Sequence, residues 1–267
     1  MSFFFRSLKT FLVGVLNFAS IDVRPSFFPG VAVFGRNIYS LSQFRFRPAY
    51  SESKVTLGLG GWGLVDRLSD MTGELVLDVG AGSLVHSKYF ASKGKRVTAV
   101  DLGTSGYAMS RKEIDEERGH LEVINADFNA YASELQWDIV WASHILEHQK
   151  NAGDFLSKCL QHTKESGLLV LVVPFPHKEI WGGHLTYWTP GVLAYNLVMA
   201  GTSMAESSAF ESHGEFVVVA KKRSIELNKL DLSFDSGDVD RLSDYLPSCV
   251  REGSSSFVYW DSLGLKN

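Results

Sequence analysis

The stretch Leu75-Val76-Leu77-Asp78-Val79-Gly80-Ala81-Gly82-Ser83 joins a short apolar run to a glycine-rich turn. Leucine and valine in succession predict a buried strand. Glycines at 80 and 82 allow a sharp turn and let a ligand approach main-chain atoms where a side chain would collide. A ligand-binding turn and a plain strand-to-helix connection are both consistent with this stretch alone.

Apolar runs and amphipathic stretches alternate over the following 140 residues or so. The strand candidates are 75–77, 97–100, 121–124, 137–141, 168–173, 204–212 and 215–220, and the helix candidates are 85–92, 151–163 and 192–199. This alternation predicts an α/β fold with a doubly wound, mostly parallel sheet. The last two strands, joined at His213-Gly214, are expected to form an antiparallel hairpin at its edge.

Composition and charge exclude several classes of protein. The chain has 267 residues, 45% of them hydrophobic and 21% charged, which is typical of a globular protein. Its 26 basic and 30 acidic residues give a net charge of -4, so we expect no nucleic-acid partner. Cys159 and Cys249 form neither a zinc motif nor a disulfide framework, which favours the cytoplasm.

Residues 1–59 are predicted to form an amphipathic helix followed by a cap. On a helix, Phe4, Leu8, Phe11 and Val15 share one face. That face could dock on the protein core or lie peripherally on the inner membrane surface, but the apolar run is too short to span a bilayer. The proline-containing segment 22–53 predicts an irregular cap.

Polar side chains stand at the ends of four predicted strands. They are Asp78, Asp101, Asp127 and Ser143. Ligands of doubly wound sheets bind at the carboxyl ends of the strands, and an acid at the second strand end can accept hydrogen bonds from a ribose diol. These groups therefore predict a ligand site along one edge of the sheet.

In combination, these motifs resemble the class I S-adenosylmethionine-dependent methyltransferases. Residues 77–82 resemble their acidic-x-Gly-x-Gly motif, 126–128 their adenine-contacting segment, and 138–140 their fourth-strand motif. The resemblance covers residues 60–222 and implies a Rossmann-like sheet of seven strands with S-adenosyl-L-methionine as cofactor. Leu84 departs from the pattern, because many members have a third glycine there.

The resemblance also implies a set of cofactor-binding residues. They are Asp78, Gly80, Ala81, Gly82, Asp101, Leu102, Asp127, Phe128 and Ser143. Asp101 would hold the ribose hydroxyls, Asp127 the adenine amino group, and the amide and ring of Phe128 the rest of the base. The backbone of residues 80–82, with Asp78 behind it, would face the methionine moiety.

The segment after the fourth strand contains three ionisable side chains. His144, Glu147 and His148 share a face of a helical turn because they are three and four residues apart. Similar segments in ubiquinone O-methyltransferases have an acid where this chain has His144. Two histidines and a carboxylate suit a divalent metal, but similar Leu-Glu-His segments occur in metal-independent members, so we expect a hydrogen-bond network and no metal.

A loop rich in aromatic residues, glycine and histidine follows the fifth strand. Residues 183–190 resemble a His-x-x-x-aromatic-(Thr/Ser)-Pro element in which the histidine, here His184, faces the methyl acceptor. The alternative role for His184 is to cap the helix that begins near Thr189-Pro190. We predict His144 or His184 as a general base, oriented by Glu147 and His148, because an imidazole titrates near neutral pH.

The sequence thus predicts a domain at 60–222 that methylates a small-molecule or glycan hydroxyl, with an extension at 223–267 packed on it. The tail and the 191–198 helix are similar to methyltransferases associated with bacterial surface-glycan synthesis, which favours a sugar acceptor. An NAD-dependent oxidoreductase and a non-catalytic binding module are the alternatives. The oligomeric state is left open.

Overall fold

A computed structural model describes residues 21–24, 31–34, 37–40, 45–48, 62–71, 73–105, 120–212 and 214–265. The chain divides into two compact units, Met1–Leu59 and Gly60–Asn267, which are taken separately below. The predicted amphipathic helix lies outside the described residues, apart from its last residue, Ile21, which begins a strand.

The first unit contains four short strands, so the prediction of an irregular cap over 22–53 is wrong. They are β1 (Ile21–Arg24), β2 (Val31–Phe34), β3 (Asn37–Ser40) and β4 (Arg45–Pro48). β2 pairs with β3 and β1 with β4, both antiparallel. Pro48 ends β4, a position where a missing backbone N–H is tolerated.

The second unit is built on one sheet. Its strands are β5 (Leu75–Val79), β6 (Arg96–Asp101), β7 (Leu121–Asn125), β8 (Trp137–Ser143), β9 (Thr163–Pro174), β10 (Ser207–Ser212), β11 (Glu215–Lys221) and β12 (Trp260–Asp261). Their order across the sheet is β12-β10-β11-β9-β8-β5-β6-β7. β5 to β9 pair in parallel, whereas β10, β11 and β12 add antiparallel pairings. The predicted mostly parallel, Rossmann-like α/β sheet with an antiparallel edge is confirmed.

The described sheet has eight strands and not seven, because the C-terminal tail adds β12 outside β10. Ser208 pairs with Asp261 and Ala209 with Trp260. The indole N–H of Trp260 donates to Ser207 Oγ at 2.8 Å. β12 therefore covers the edge of β10 at these two residues. A two-residue strand has no periodicity of its own, which is why the sequence pattern missed it.

Helices cover both faces of the sheet. They are α1 (Trp62–Met71), α2 (Val85–Ser92), α3 (Ala152–His162), α4 (Pro190–Met199) and the single-turn α5 (Asp238–Arg241). Side chains of α1 and α2 pack with one set of buried strand residues, and those of α3 and α4 pack with the other. Among the described residues, no helix is both long and apolar enough to cross a membrane.

Parallel strands place their carboxyl ends together at one edge of the sheet. Val79 is in register with Val100 and Ala142, and Asp101 with Asn125. The turns that follow β5, β6, β7 and β8 are therefore neighbours, and every predicted cofactor residue lies at or just after one of these strand ends.

Leu84, just before α2, combines an unfavourable backbone with a buried side chain. Its φ is 59°, and its side chain is 1% exposed in the core beside α1 and α2. A left-handed conformation costs a non-glycine residue about 1–2 kcal/mol. Burial of the leucine side chain offsets this cost, which explains how a leucine is tolerated where many of the resembled proteins have glycine.

We therefore expect Leu84→Gly to be less destabilising than Leu84→Ala. Both variants lose the buried side chain, at about 3 kcal/mol, but only glycine relieves the backbone strain. Leu193, fully buried within α4, is the matched control. There glycine should be worse than alanine by about 1 kcal/mol. Unfolding in urea measures all four variants, and the same order at both positions would contradict this account.

Candidate active site

The glycine-rich turn after β5 is held tightly against its neighbours. Gly80 and Gly82 have φ values of 71° and 50°, which glycine adopts without strain. The Gly80 amide donates to the Val100 carbonyl at 2.8 Å. A Cβ atom at Gly80 would lie 3.0 Å from the Ile145 side chain. A larger residue at position 80 would therefore push this turn away from the turn that follows β8.

Asp101, at the end of β6, joins two adjacent turns. Its Oδ2 accepts a hydrogen bond from the Gly82 amide at 2.8 Å, and its Oδ1 accepts one from the Gly103 amide at 2.7 Å. An ionised carboxylate has about four acceptor positions, so further hydrogen bonds from a diol are compatible with these two. Leu102, the next residue, is exposed on the same edge.

The turn after β7 places only part of the predicted adenine contact at the edge. Asp127 is exposed, and its Oδ1 accepts a hydrogen bond from the Asn129 amide at 2.9 Å. The ring of Phe128, however, is 6% exposed and packs edge-on against Phe155 with centroids 5.5 Å apart. The ring therefore lies in the core beneath α3 and not on the edge where its contact with the base is predicted.

Asp78 lies behind the glycine-rich turn and is almost fully buried. The hydroxyl of Ser87, in the first turns of α2, donates to its carboxylate. Burial raises the pKa of Asp78 to about 7; the Ser87 hydrogen bond acts in the opposite direction, and the charge of Asp101 adds to the increase. Asp78 is thus an acid beneath the turn that titrates far above the usual range of a carboxyl group.

These features fit the chemistry of S-adenosyl-L-methionine. Gly80 and Gly82 add no side chains to this turn, which suits the close approach of an extended ligand to its main chain. Asp101 offers acceptors for ribose hydroxyls, and Asp127 one for an adenine amino group. Ser143 ends β8 beside the same edge.

His144 follows β8 and lies between two carboxylates. Its φ is 52°, its Nε2 is 2.6 Å from Glu215 Oε1, and its Nδ1 is 3.3 Å from Glu147 Oε1. With a carboxylate at each ring nitrogen, the favoured state carries a proton on both. Burial lowers the pKa of His144, but the contacts and negative charges of Glu147 and Glu215 outweigh it and raise the pKa to about 10. A histidine protonated at neutral pH is not a general base, so the geometry speaks against that role for His144.

Glu215 is not among the site residues predicted from the sequence. This residue begins β11 and reaches the site only because β11 pairs with β9, where Glu215 is in register with Pro174. His144 and Glu215 are 71 residues apart in the chain. No local sequence pattern connects the acid that begins one strand to a histidine that follows another strand so far away in the chain.

Glu147 and His148 form a short 3-10 turn with Leu146 and hold the loop that follows β9. The Glu147 carbonyl accepts hydrogen bonds from the amides of Leu185 at 2.7 Å and Thr186 at 3.2 Å. His148 Nδ1 lies 2.7 Å from the Gly183 carbonyl oxygen. The structure therefore brings together the four side chains that the sequence proposed as catalytic, namely His144, Glu147, His148 and His184.

His184 is half-buried beside His148, with ring centroids 5.0 Å apart. Burial lowers its pKa, the charge of Glu147 acts in the opposite direction, and His148, His177 and His144 lower it further. His184 is therefore neutral at pH 7. It does not cap α4, because Thr189 Oγ1 accepts the hydrogen bond from the Val192 amide.

The outer part of the same loop exposes large apolar side chains. They are Ile180, Trp181, Leu185 and Tyr187, with Ile180 97% exposed. The rings of His177 and Trp181 lie with centroids 5.4 Å apart. An apolar and aromatic wall therefore stands beside His184, where sequence reasoning expected the acceptor.

Comparisons with known proteins identify a methyltransferase domain within the chain. Residues 77–171 match a family model described as a methyltransferase domain. The chain is 30% identical over 103 residues to the mitochondrial ubiquinone biosynthesis O-methyltransferase of Schizosaccharomyces pombe, covering 38% of each chain. It is 27% identical over 124 residues to the ubiquinone biosynthesis O-methyltransferase of Cronobacter sakazakii, covering 46% of this chain and 49% of that one. The matches thus span less than half the length of these curated relatives.

Two solved methyltransferase structures are similar to part of the chain. The first is the 1,6-didemethyltoxoflavin-N1-methyltransferase of Burkholderia thailandensis, with a TM-score of 0.48, 20% identity and coverage of 62% of this chain and 80% of that one. The second is a glycopeptide N-methyltransferase in complex with S-adenosyl-L-methionine, with a TM-score of 0.48, 19% identity and coverage of 61% and 94%.

The matched segment, 77–171, includes β5 to β8 and the turns that carry Gly80, Asp101, Asp127 and Glu147. S-adenosyl-L-methionine is the cofactor that this domain and the geometry of the site support.

The pKa of Asp78 predicts a pH-dependent contribution to stability. Between its ordinary value of 3.8 and about 7, the folded chain keeps a proton on Asp78 that the unfolded chain has lost. The free energy of unfolding therefore falls as pH rises through this interval. Asp78→Asn keeps the shape and the Ser87 contact but does not titrate.

Urea unfolding at about pH 5 and about pH 8 should thus show a larger loss of stability in the wild-type protein than in Asp78→Asn. Parallel losses in the two proteins would mean that Asp78 is not a buried acid with a raised pKa.

Proposed function

We propose that the chain is an S-adenosylmethionine-dependent methyltransferase that methylates a hydroxyl group of a sugar or surface-glycan precursor. The observation that carries this proposal is the arrangement along the sheet edge. The Gly80 turn and Asp101 stand next to a turn that holds a buried carboxylate among three histidines. A cofactor site and a group that handles protons thus occupy neighbouring strand ends.

S-adenosyl-L-methionine, when bound, supplies an electrophilic methyl group on a sulfonium. The protein's own contribution begins with positioning. Asp101 fixes the turns at Gly82 and Gly103 through two hydrogen bonds, so its carboxylate is held in place before a ribose diol arrives. Such preorganisation reduces the entropic cost of aligning the reacting groups.

A hydroxyl acceptor must lose a proton as it is methylated. His184 is neutral and has an electron pair that can accept this proton. Both ring nitrogens of His144, in contrast, face carboxylates and carry protons. Glu147 and His148 hold the loop of His184 through its backbone. We therefore assign the acceptor side of the site to His184, positioned by Glu147 and His148.

The choice of oxygen over nitrogen rests on the same cluster. A neutral amine needs no proton removal before it attacks, whereas a hydroxyl benefits from a base, which typically contributes 100-fold or more. The matched ubiquinone enzymes are O-methyltransferases, in agreement with this choice. For a sugar acceptor, the support is the exposed aromatic wall at Trp181 and Tyr187 and the modest net charge.

Calorimetric titration with the cofactor tests the first half of the proposal. S-adenosyl-L-methionine should bind the full chain and NAD should not. Asp101→Ala should weaken binding by about 2 kcal/mol, or roughly 30-fold, through loss of the ribose hydrogen bonds. Asp101→Asn, which keeps the shape of the side chain, should also bind more weakly.

Asp244→Ala is the matched control, because Asp244 is exposed and lies in the C-terminal extension. Thermal melts verify that each variant is folded. Wild-type affinity in folded Asp101→Ala, or binding of NAD, would contradict the assignment.

Transfer of a labelled methyl group to a panel of acceptors tests the second half. Acceptors with sugar hydroxyls should be labelled, and amine acceptors should not. His184→Ala should lower the rate at least 100-fold with little change in cofactor affinity, whereas His177→Ala, on the same loop, should keep most of the rate. Labelling of amines alone, or a normal rate in His184→Ala, would refute this part.

A further inference from the structure

Three side chains of the acceptor region converge as a donor set for a cation. Glu147, His148 and His184 each offer one ligand atom, and these atoms lie within 4.8 Å of one another. Glu147 is buried at the base of the set, His184 is half-buried and His148 is exposed. The set is therefore open on the side from which an acceptor would enter.

The Glu147 carboxylate lacks the partners that a buried charge requires. It is 1% exposed, and within the described part of the chain neither oxygen accepts a hydrogen bond. Its nearer histidine, His144 at 3.3 Å, is shared with Glu215, whose Oε1 lies only 2.6 Å from the His144 ring. Burying a carboxylate costs several kcal/mol unless it is well paired. A bound cation would supply the partner that these two buried oxygens lack among the described residues.

His148 is oriented as a ligand would be. Its Nδ1 faces the Gly183 carbonyl at 2.7 Å, so this nitrogen carries the proton. The electron pair is then on Nε2, which lies 3.9 Å from Glu147 Oε1. A backbone carbonyl that fixes the tautomer through the outer nitrogen is the usual arrangement around metal-binding histidines.

His184 is brought to the set by backbone contacts that do not involve its ring. The amides of Leu185 and Thr186, the next two residues, donate to the Glu147 carbonyl. The loop is therefore tied to the backbone of Glu147, and the His184 ring stands next to His148. The donor atoms need to approach by roughly 1–2 Å to reach bonds of about 2.0–2.2 Å to one ion, which side-chain rotation can supply.

We propose that Glu147, His148 and His184 bind a divalent transition-metal ion. Two imidazole nitrogens and one carboxylate oxygen suit Mn²⁺, Fe²⁺, Co²⁺ or Zn²⁺ better than Mg²⁺ or Ca²⁺, which prefer all-oxygen sites. Three protein ligands leave open positions on such an ion. This proposal departs from the sequence-based expectation of a metal-free hydrogen-bond network.

The role of the ion in activating an acceptor hydroxyl rests on the proposed function. The binding of the ion to these three side chains does not depend on it. A divalent ion lowers the pKa of a hydroxyl that coordinates to it. The electron pair of His184 would then bind the ion, and the proton that a coordinated hydroxyl loses would pass to solvent on the open side of the donor set. Glu215 and His144 would flank Glu147 from the other side.

Metal binding can be measured without cofactor or acceptor. The untagged full-length chain, freed of metal with a chelator, is titrated with Zn²⁺ by calorimetry and with Co²⁺ by visible absorption, which reports the coordination geometry. We expect one ion per chain. Glu147→Gln, which preserves the shape of the side chain, and His184→Ala should each weaken binding at least tenfold, whereas His177→Ala, a histidine of the same loop outside the donor set, should bind as the wild type does.

Titration with S-adenosyl-L-methionine verifies that each variant retains its fold and separates the two proposals. Absence of Zn²⁺ and Co²⁺ binding, wild-type affinity in Glu147→Gln, or an equal loss in His177→Ala would overturn the metal site while leaving the cofactor site standing. If Asp101→Ala instead keeps wild-type affinity for S-adenosyl-L-methionine while metal binding is intact, the proposed function alone would be overturned.

Discussion

Parallel pairing of β5 with β6 and β8 is the constraint on which the rest of the site depends. It brings the ends of Val79, Val100 and Ala142 into register, so that the turns after these strands must lie side by side. The contact between Gly80 and Ile145 shows how closely two of them pack. The turns after β5 and β8 can pack this closely only because glycine leaves room for the Ile145 side chain.

Two buried carboxylates lie beneath this edge, and the fold stabilises them in different ways. Asp78 has one hydroxyl partner, and burial raises its pKa to about 7, so that the charge is partly removed by protonation. Glu147 instead lies next to a protonated His144, which it shares with Glu215, so that its charge is only partly balanced. The first arrangement supports a turn that meets a ligand, and the second surrounds a buried acid with imidazoles that remain accessible from outside.

Local patterns predict a large part of this structure. The helix at 85–92, the five parallel strands and the positions of Asp101 and Asp127 follow from apolar periodicity and glycine placement. Most of the features that these patterns do not predict depend on pairing between strands that are far apart in the chain. Glu215 reaches His144 through β11, and β12 returns from the tail to cover β10. The buried ring of Phe128 shows a further limit, because a strand-end position does not determine whether a side chain faces the ligand or the core.

Amide hydrogen exchange of the full chain, with and without S-adenosyl-L-methionine, tests the central claim most directly. If the carboxyl edge of β5, β6 and β7 holds the cofactor, binding should slow exchange in residues 80–84, 101–103 and 126–129, while β10 and β11 change little. Protection confined to other parts of the chain, or unchanged exchange in these three turns at saturating cofactor, would contradict the account.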